Sequence, residues 1–321
     1  MTPAGEFLAD EIRRGGPLTF RRFMEVALYH PKFGYYRKPR DPFGKEGDFF
    51  TAEQIQPVFG ILMAARVRQL FESTAPLADP TVVELGAGRS EMAEAFGEWH
   101  YVPVELDAGS MPEHFEGVVF LNEFFDALPV EVAECRSGKF HERRIGFSGD
   151  RFHWETGEPV RDEVEDYLTR YYPLPQEGFA YEAQIDALRW IERMARALTR
   201  GCLIAIDYGY TRAEAVRFPR GTLMGYRRHT ALDDVLADPG ERDITAHVNF
   251  TALQDHGERF GLRHEYLETL AKTILRAGEP DQFAAALGAA DDREAMRRRM
   301  QLKTLLFGMG ETFRVWTARK G

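Results

Sequence analysis

Hydrophobic positions along this 321-residue chain follow two rhythms, and their alternation predicts a layered α/β fold. Residues 5–14 and 19–29 read as helices; Thr19 is placed to cap the second, with Phe20, Phe23, Met24 and Ala27 on one face. A helix from about Pro57 to Glu72 turns Val58, Ile61, Leu62, Ala65 and Leu70 toward a core. Short apolar runs at 81–84, 101–105, Val118–Leu121, Cys202–Ile206, 262–267 and Phe313–Thr317 read as strands. Helices are expected at 90–98, 162–171, 183–199 and 251–260 and between 281 and 306. Val130–Cys135, Lys139–Phe147 and Arg151–Trp154 alternate and are separated by Ser137-Gly138 and Ser148-Gly149-Asp150, so an antiparallel meander is added to the core. Strands alternating with helices predict a doubly wound sheet. The expected division is a helical region at 1–75 and a core at 76–321, with insertions near 130–156 and 208–250. The second insertion is a long polar connection, of the kind that often carries function.

The chemistry concentrates in Thr81-Val-Val-Glu-Leu-Gly-Ala-Gly-Arg-Ser90. A strand that turns through Gly86-x-Gly88 into a helix lets a ligand approach the backbone and meet amide donors. Glu84, two residues before the first glycine, would repel a dinucleotide's pyrophosphate. It suits S-adenosylmethionine (SAM), which brings an ammonium and a sulfonium as well as a carboxylate. Position 91 is Glu, so the third glycine of the dinucleotide fingerprint is missing, which argues against an NAD enzyme. Glu105 ends the next strand-like run 19 residues after Gly86, where an acid accepts hydrogen bonds from ribose hydroxyls.

Asn122-Glu123-Phe-Phe-Asp126 follows a predicted central strand, at the end where open α/β sheets bind ligands. Read as a site, Asn122, Glu123 and Asp126 meet a substrate beside the cofactor. Read blandly, Asn122 caps a helix whose dipole Glu123 and Asp126 favour. The residues alone leave both readings open. Gly47-Asp48-Phe-Phe-Thr51 is a glycine-led loop, or a turn with Thr51 as N-cap. Asp207-Tyr-Gly209 reads as a strand terminus, and His247 as structural.

A net charge of −10 gives no nucleic-acid footprint. Cys135 and Cys202 lack paired spacing, so neither a disulfide framework nor a metal site follows, and a reducing compartment is expected. No apolar run approaches the roughly 18 residues that span a bilayer. The N-terminus has no basic or apolar leader pattern, so a cytoplasmic protein is expected. Oligomeric state is not legible.

Five blocks together resemble the MidA family of SAM-dependent methyltransferases. They are Gly47–Thr51 through Pro57–Gly60, Val83–Gly88, Asn122–Pro129, Asp207–Gly209 with Leu236–Phe250, and Lys303 through Gly308–Phe313. The resemblance implies a class I methyltransferase fold, a Rossmann-like doubly wound sheet, with SAM as methyl donor. It also implies a protein arginine as acceptor, as in the mitochondrial member that acts on a subunit of respiratory complex I. It assigns Asp48, Thr51, Glu84, Gly86, Gly88, Glu105 and Asn122 to the cofactor, and Glu123, Asp126 and Asn122 to catalysis.

This chain departs from the family pattern in several places. Gly86-Ala-Gly88-Arg-Ser replaces G-P-G-x-G, Ala52-Glu53 replaces Ser-Pro, and Asn249 stands where an acid is usual. Only 16 residues separate Glu105 from Asn122, which leaves no room for the family's extra edge strand. That shortening motivates a second reading, a binding or assembly protein with a reduced cofactor site.

Overall fold

The computed structural model describes residues 1–38, 51–74, 76–227 and 230–321. They form two compact units, neither continuous in sequence. One takes in Met1–Phe50, Phe125–Arg189 and Tyr210–Ala252; the other takes in Thr51–Phe124, Trp190–Gly209 and Leu253–Gly321. This differs from a division at residue 75. Helix Val58–Glu72 belongs with the sheet of the second unit, while the N-terminal helices belong with the meander.

The second unit is the doubly wound sheet. Its strands are β1 (Thr81–Leu85), β2 (His100–Val104), β3 (Phe115–Asn122), β4 (Leu198–Tyr210), β5 (Arg263–Thr269) and β6 (Phe313–Lys320). They hydrogen-bond in the order β5-β6-β4-β3-β1-β2. β2, β1, β3 and β4 run parallel, whereas β6 and β5 are antiparallel to their neighbours. β1 is flanked on both sides, which explains why all five of its residues are buried. Val82, Val118, Phe120, Ile204 and Val315 pack with Phe59, Leu62 and Met63 of helix Val58–Glu72 in one core.

Two expectations about this sheet meet the structure differently. Among the described residues no strand pairs outside β2, and the 105–114 link to β3 contains no helix, as the short spacing required. The helix expected at 90–98 does not form. Ser90 has φ +59°, and the segment closes mostly three-residue turns: Ala93 N to Ser90 O, Gly97 N to Glu94 O and Trp99 N to Phe96 O. The helix-like spacing of Met92 and Phe96 reflects their burial alone.

In the first unit, helices Pro3–Gly15 and Phe20–Tyr29 start at threonine caps. Thr2 accepts from the Gly5 amide, and Thr19 from the Arg22 amide. Leu8, Phe20, Phe23 and Met24 pack against Val132 and Ile145 of the antiparallel sheet. That sheet is the expected meander, Glu131–Arg136, Lys139–Ser148 and Arg151–Pro159, joined by Leu18–Thr19 and Ala180–Ala183. Ser137-Gly138 and Gly149-Asp150 turn with all four φ angles positive, matching the twist of paired strands. Part of the long connection forms a second small sheet of Met224–Arg227, Thr230–Leu232 and Asp243–Thr245.

Glu182 fastens this unit internally. Its carboxylate accepts from the Thr222 amide at 2.7 Å, and its carbonyl accepts from the Tyr172 hydroxyl at 2.9 Å. Burial pushes the carboxyl up to about 7 from an ordinary 4.5. A raised acid stabilises the fold fully below its unfolded value and loses that contribution as pH rises through about 7. Glu182→Gln keeps the acceptor and removes the titration. Unfolding free energies from urea titrations at pH 5 and pH 8 should therefore diverge less than in the wild type, by roughly 2–3 kcal/mol. An unchanged divergence would show that Glu182 carries none of the pH dependence.

Candidate functional site

Parallel pairing brings several chain exits to one level of the sheet. Leu85 pairs with Val104 and with Leu121, and Asn122 pairs with Ile206. The next residues, Gly86, Glu105 and Glu123, therefore leave the carboxyl ends of three adjacent strands, level with Asp207, which lies within β4.

At the end of β1 the chain turns with φ +73° at Gly86 and +51° at Gly88. A Cβ on Gly86 would stand 3.1 Å from Phe124 Cδ2, in a backbone region that side chains rarely adopt. The Gly86 amide donates to the Val104 carbonyl at 2.9 Å. Gly88 donates to Glu105 Oε2, and Leu106 to Glu105 Oε1, each at 2.9 Å. Glu105 thus joins the glycine turn to the end of β2. A carboxylate has about four lone-pair sites, so acceptor capacity is left for hydroxyls. Because no helix begins at 90, the amides available here are turn amides, not a helix N-terminus.

Glu84 is fully buried. Strand alternation puts it on the same face as Tyr101, whose hydroxyl donates to Glu84 Oε2. Glu53, 5% exposed, contacts the same carboxyl. Burial pushes Glu84 up to about 7, opposed by the Tyr101 hydrogen bond, and pushes Glu53 well above the carboxylate range, reinforced by Glu84. Oε1 of each accepts from no N–H or O–H among the described residues. Glu53 escaped the sequence reading, although its replacement of Ser-Pro was the available signal. Thr51 starts the short helix Ala52–Gln54 and donates its amide to Gln54 Oε1 at 3.3 Å. Asp48 lies outside the described residues.

At the end of β3, Asn122 is buried and Glu123 has φ +52°, a left-handed conformation that is uncommon for glutamate. The Glu123 amide donates to the Ile206 carbonyl at 2.9 Å. Its Oε1 accepts from Asn122 Nδ2 at 3.2 Å and from the Ala52 amide at 3.4 Å. No helix begins after Asn122, so its reading as a helix cap is withdrawn. Asn122 Oδ1 is buried and accepts from no described donor.

Asp126 is buried in the first unit, where its carbonyl accepts from the Ala246 amide and its charge acts on Tyr36 alongside Asp243. Asp207 is buried, with Oδ1 accepting from the Tyr208 amide at 2.8 Å. Asn249 caps helix Phe250–Arg259 through the Ala252 amide, so it serves as structure where the family usually has an acid. His247 packs edge-on against Phe218, its backbone held by Thr222 and Gln184.

These residues fit SAM. Gly86 keeps open a space that a Cβ would fill, Glu84 carries an unmatched buried acceptor for an ammonium, and Glu105 stands at the adjacent strand end for hydroxyls.

A sequence family described as "Putative S-adenosyl-L-methionine-dependent methyltransferase" matches residues 96–267. The chain is 26% identical to protein arginine methyltransferase NDUFAF7 homolog, mitochondrial, of Drosophila melanogaster, over 80% of this chain and 70% of that one. It is also 26% identical to protein arginine methyltransferase NDUFAF7, mitochondrial, of Homo sapiens, over 79% and 68%. A crystal structure of a Burkholderia thailandensis protein bound to S-adenosyl-homocysteine superposes with a TM-score of 0.83 at 26% identity, covering 99% of this chain and 92% of that one. The mitochondrial names of the relatives overturn the cytoplasmic expectation, which rested only on the lack of a leader pattern. With the match extending over more than half its length, the chain belongs to this family of SAM-dependent methyltransferases, and SAM is its cofactor.

Proposed function

We propose that the protein transfers a methyl group from SAM to a guanidinium nitrogen of a protein arginine, with Glu123 gripping the guanidinium. The observation that carries this reading is the placement of Glu123. It follows the end of a central parallel strand, in a left-handed conformation, with one carboxylate oxygen oriented by Asn122 and by the Ala52 amide. The names of the Drosophila and human relatives support arginine as the acceptor. A subunit of respiratory complex I is the substrate to which the family resemblance points.

When bound, SAM supplies an electrophilic methyl on a sulfonium. The residues supply position and charge. An arginine side chain stays protonated, with a pKa above about 12, so a base cannot free its lone pair beforehand. A carboxylate meeting it bidentately concentrates electron density on one nitrogen as the new bond forms. Glu123 takes that role, with Asn122 fixing its rotamer and Asp126 as a second acid of the same signature. Glu84 faces the cofactor ammonium, Gly86 and Gly88 admit close backbone approach, and Glu105 takes the ribose. Asp48 and Thr51 complete the cofactor set. Holding two cations against each other makes positioning the main contribution of the protein.

Glu105→Ala should raise the SAM dissociation constant tenfold or more while the fold survives. Hydrogen bonds to a charged acceptor are worth roughly 1.5–3 kcal/mol each. Calorimetric titration checks it, and an unchanged constant with an intact fold removes Glu105 from the ribose. Glu123→Gln preserves shape and removes charge. Methyl transfer to a peptide arginine should fall by roughly two to three orders of magnitude, the scale of losing one preorganised electrostatic partner. SAM affinity should stay within a few fold, measured on the same preparation. Transfer that survives moves the guanidinium to Asp126 or Asp207, whereas lost SAM binding moves Glu123 into the cofactor site. Wild-type protein that takes up no SAM would favour the binding or assembly reading.

A further inference from the structure

Glu53 and Glu84 form a buried pair of acids with no cation paired to them among the described residues. Glu84 is 0% and Glu53 5% exposed, and no lysine or arginine among the described residues forms an ion pair with either. The other charged or titratable groups acting on the pair are Tyr101 from β2, Glu91, Glu105 and Glu123. Of these, Glu91 is paired with Arg89, Glu105 is turned to two backbone amides, and Glu123 is held by Asn122 and Ala52. Tyr101 gives its single hydrogen to Glu84 Oε2. That leaves Oε1 of both acids without a donor among the described residues. Yet the two buried carboxyls act directly on each other, an arrangement that a proton held in common makes attractive.

We propose that Glu53 is a positioning residue for the cofactor: it holds one proton in common with Glu84 and gives it up to solvent when both carboxylates close on the ammonium of SAM. The proposal rests on the assignment of Glu84 to that ammonium. Charge balances, because the pair loses one proton as it gains one fixed positive charge. The held proton lets two acids stay buried before the cofactor arrives, and the ammonium then replaces it. Glu53 stands where the family pattern has proline, so the device belongs to this chain and not to the motif at large.

Proton release is the measurement that separates this role from packing. The full chain is titrated with SAM at pH 7.0 in two buffers of different protonation enthalpy, which counts protons released per ligand. The wild type should release about one proton more than Glu53→Gln. With 5′-methylthioadenosine, which lacks the ammonium, the two proteins should release the same number, and this ligand also checks that the variant is folded. Equal counts with SAM overturn the proposal. So does a wild type that releases no more protons with SAM than with 5′-methylthioadenosine, a comparison needing no variant. Glu84→Gln tests the underlying assignment separately. If it binds SAM as tightly as the wild type while still binding 5′-methylthioadenosine, Glu84 does not hold the ammonium.

Discussion

A carboxyl group enclosed within a parallel sheet is the constraint around which this protein is arranged. β1 has a strand on each side, and Glu84 is fully buried within it. An isolated ionised carboxylate in such surroundings is costly enough that the site must supply a donor, a proton or a cation. Tyr101 supplies the donor from the neighbouring strand, by the alternation that places it on the same face. The rest of the requirement is met from outside the sheet. The cofactor ammonium proposed for this point would relieve a strain that the fold itself creates.

The remaining chemistry follows from strand direction. Parallel strands deliver their carboxyl ends to one side, and the registers of β1, β2 and β3 bring their exits to one level beside β4. Three short peptide segments thus meet without any long loop having to be ordered to position them. Glu105 ties two of these segments together through backbone amides, and Glu123 is joined to a third through Ile206. The precision of the site is that of the sheet, and side-chain flexibility is confined to the last few bonds.

Much of this could be read from the chain because it is written in local patterns. Helix Asp162–Tyr171 was legible from Val164, Tyr167, Leu168 and Tyr171, whose spacing matches their burial on one face. The meander was legible from its two-residue turns. The glycine turn and the acids at 84 and 105 were legible because each sits at a fixed offset from a strand end. The helix at 90–98 was misread because Met92 and Phe96 are four apart and buried, whereas Ser90 enters the segment in a left-handed conformation. Periodicity reports which side chains are buried, not which hydrogen bonds close. Glu53 was legible only as a departure from the family pattern, because its partner lies 31 positions away and belongs to no shared motif. The interleaving of the two units escaped notice because it depends on contacts that close over more than a hundred residues.

Pro103 stands within β2, and a proline removes a donor from the ladder, which is tolerated at a sheet border and seldom inside. Its presence matches a sheet that stops at β2, with a helix-free link leading back to β3. Among the described residues the sheet ends there, and such a border presents a row of backbone groups on which another chain can add a strand and begin to aggregate. A border strand of this kind therefore carries a solubility cost. A border of five residues interrupted by an imino acid is how this chain limits it.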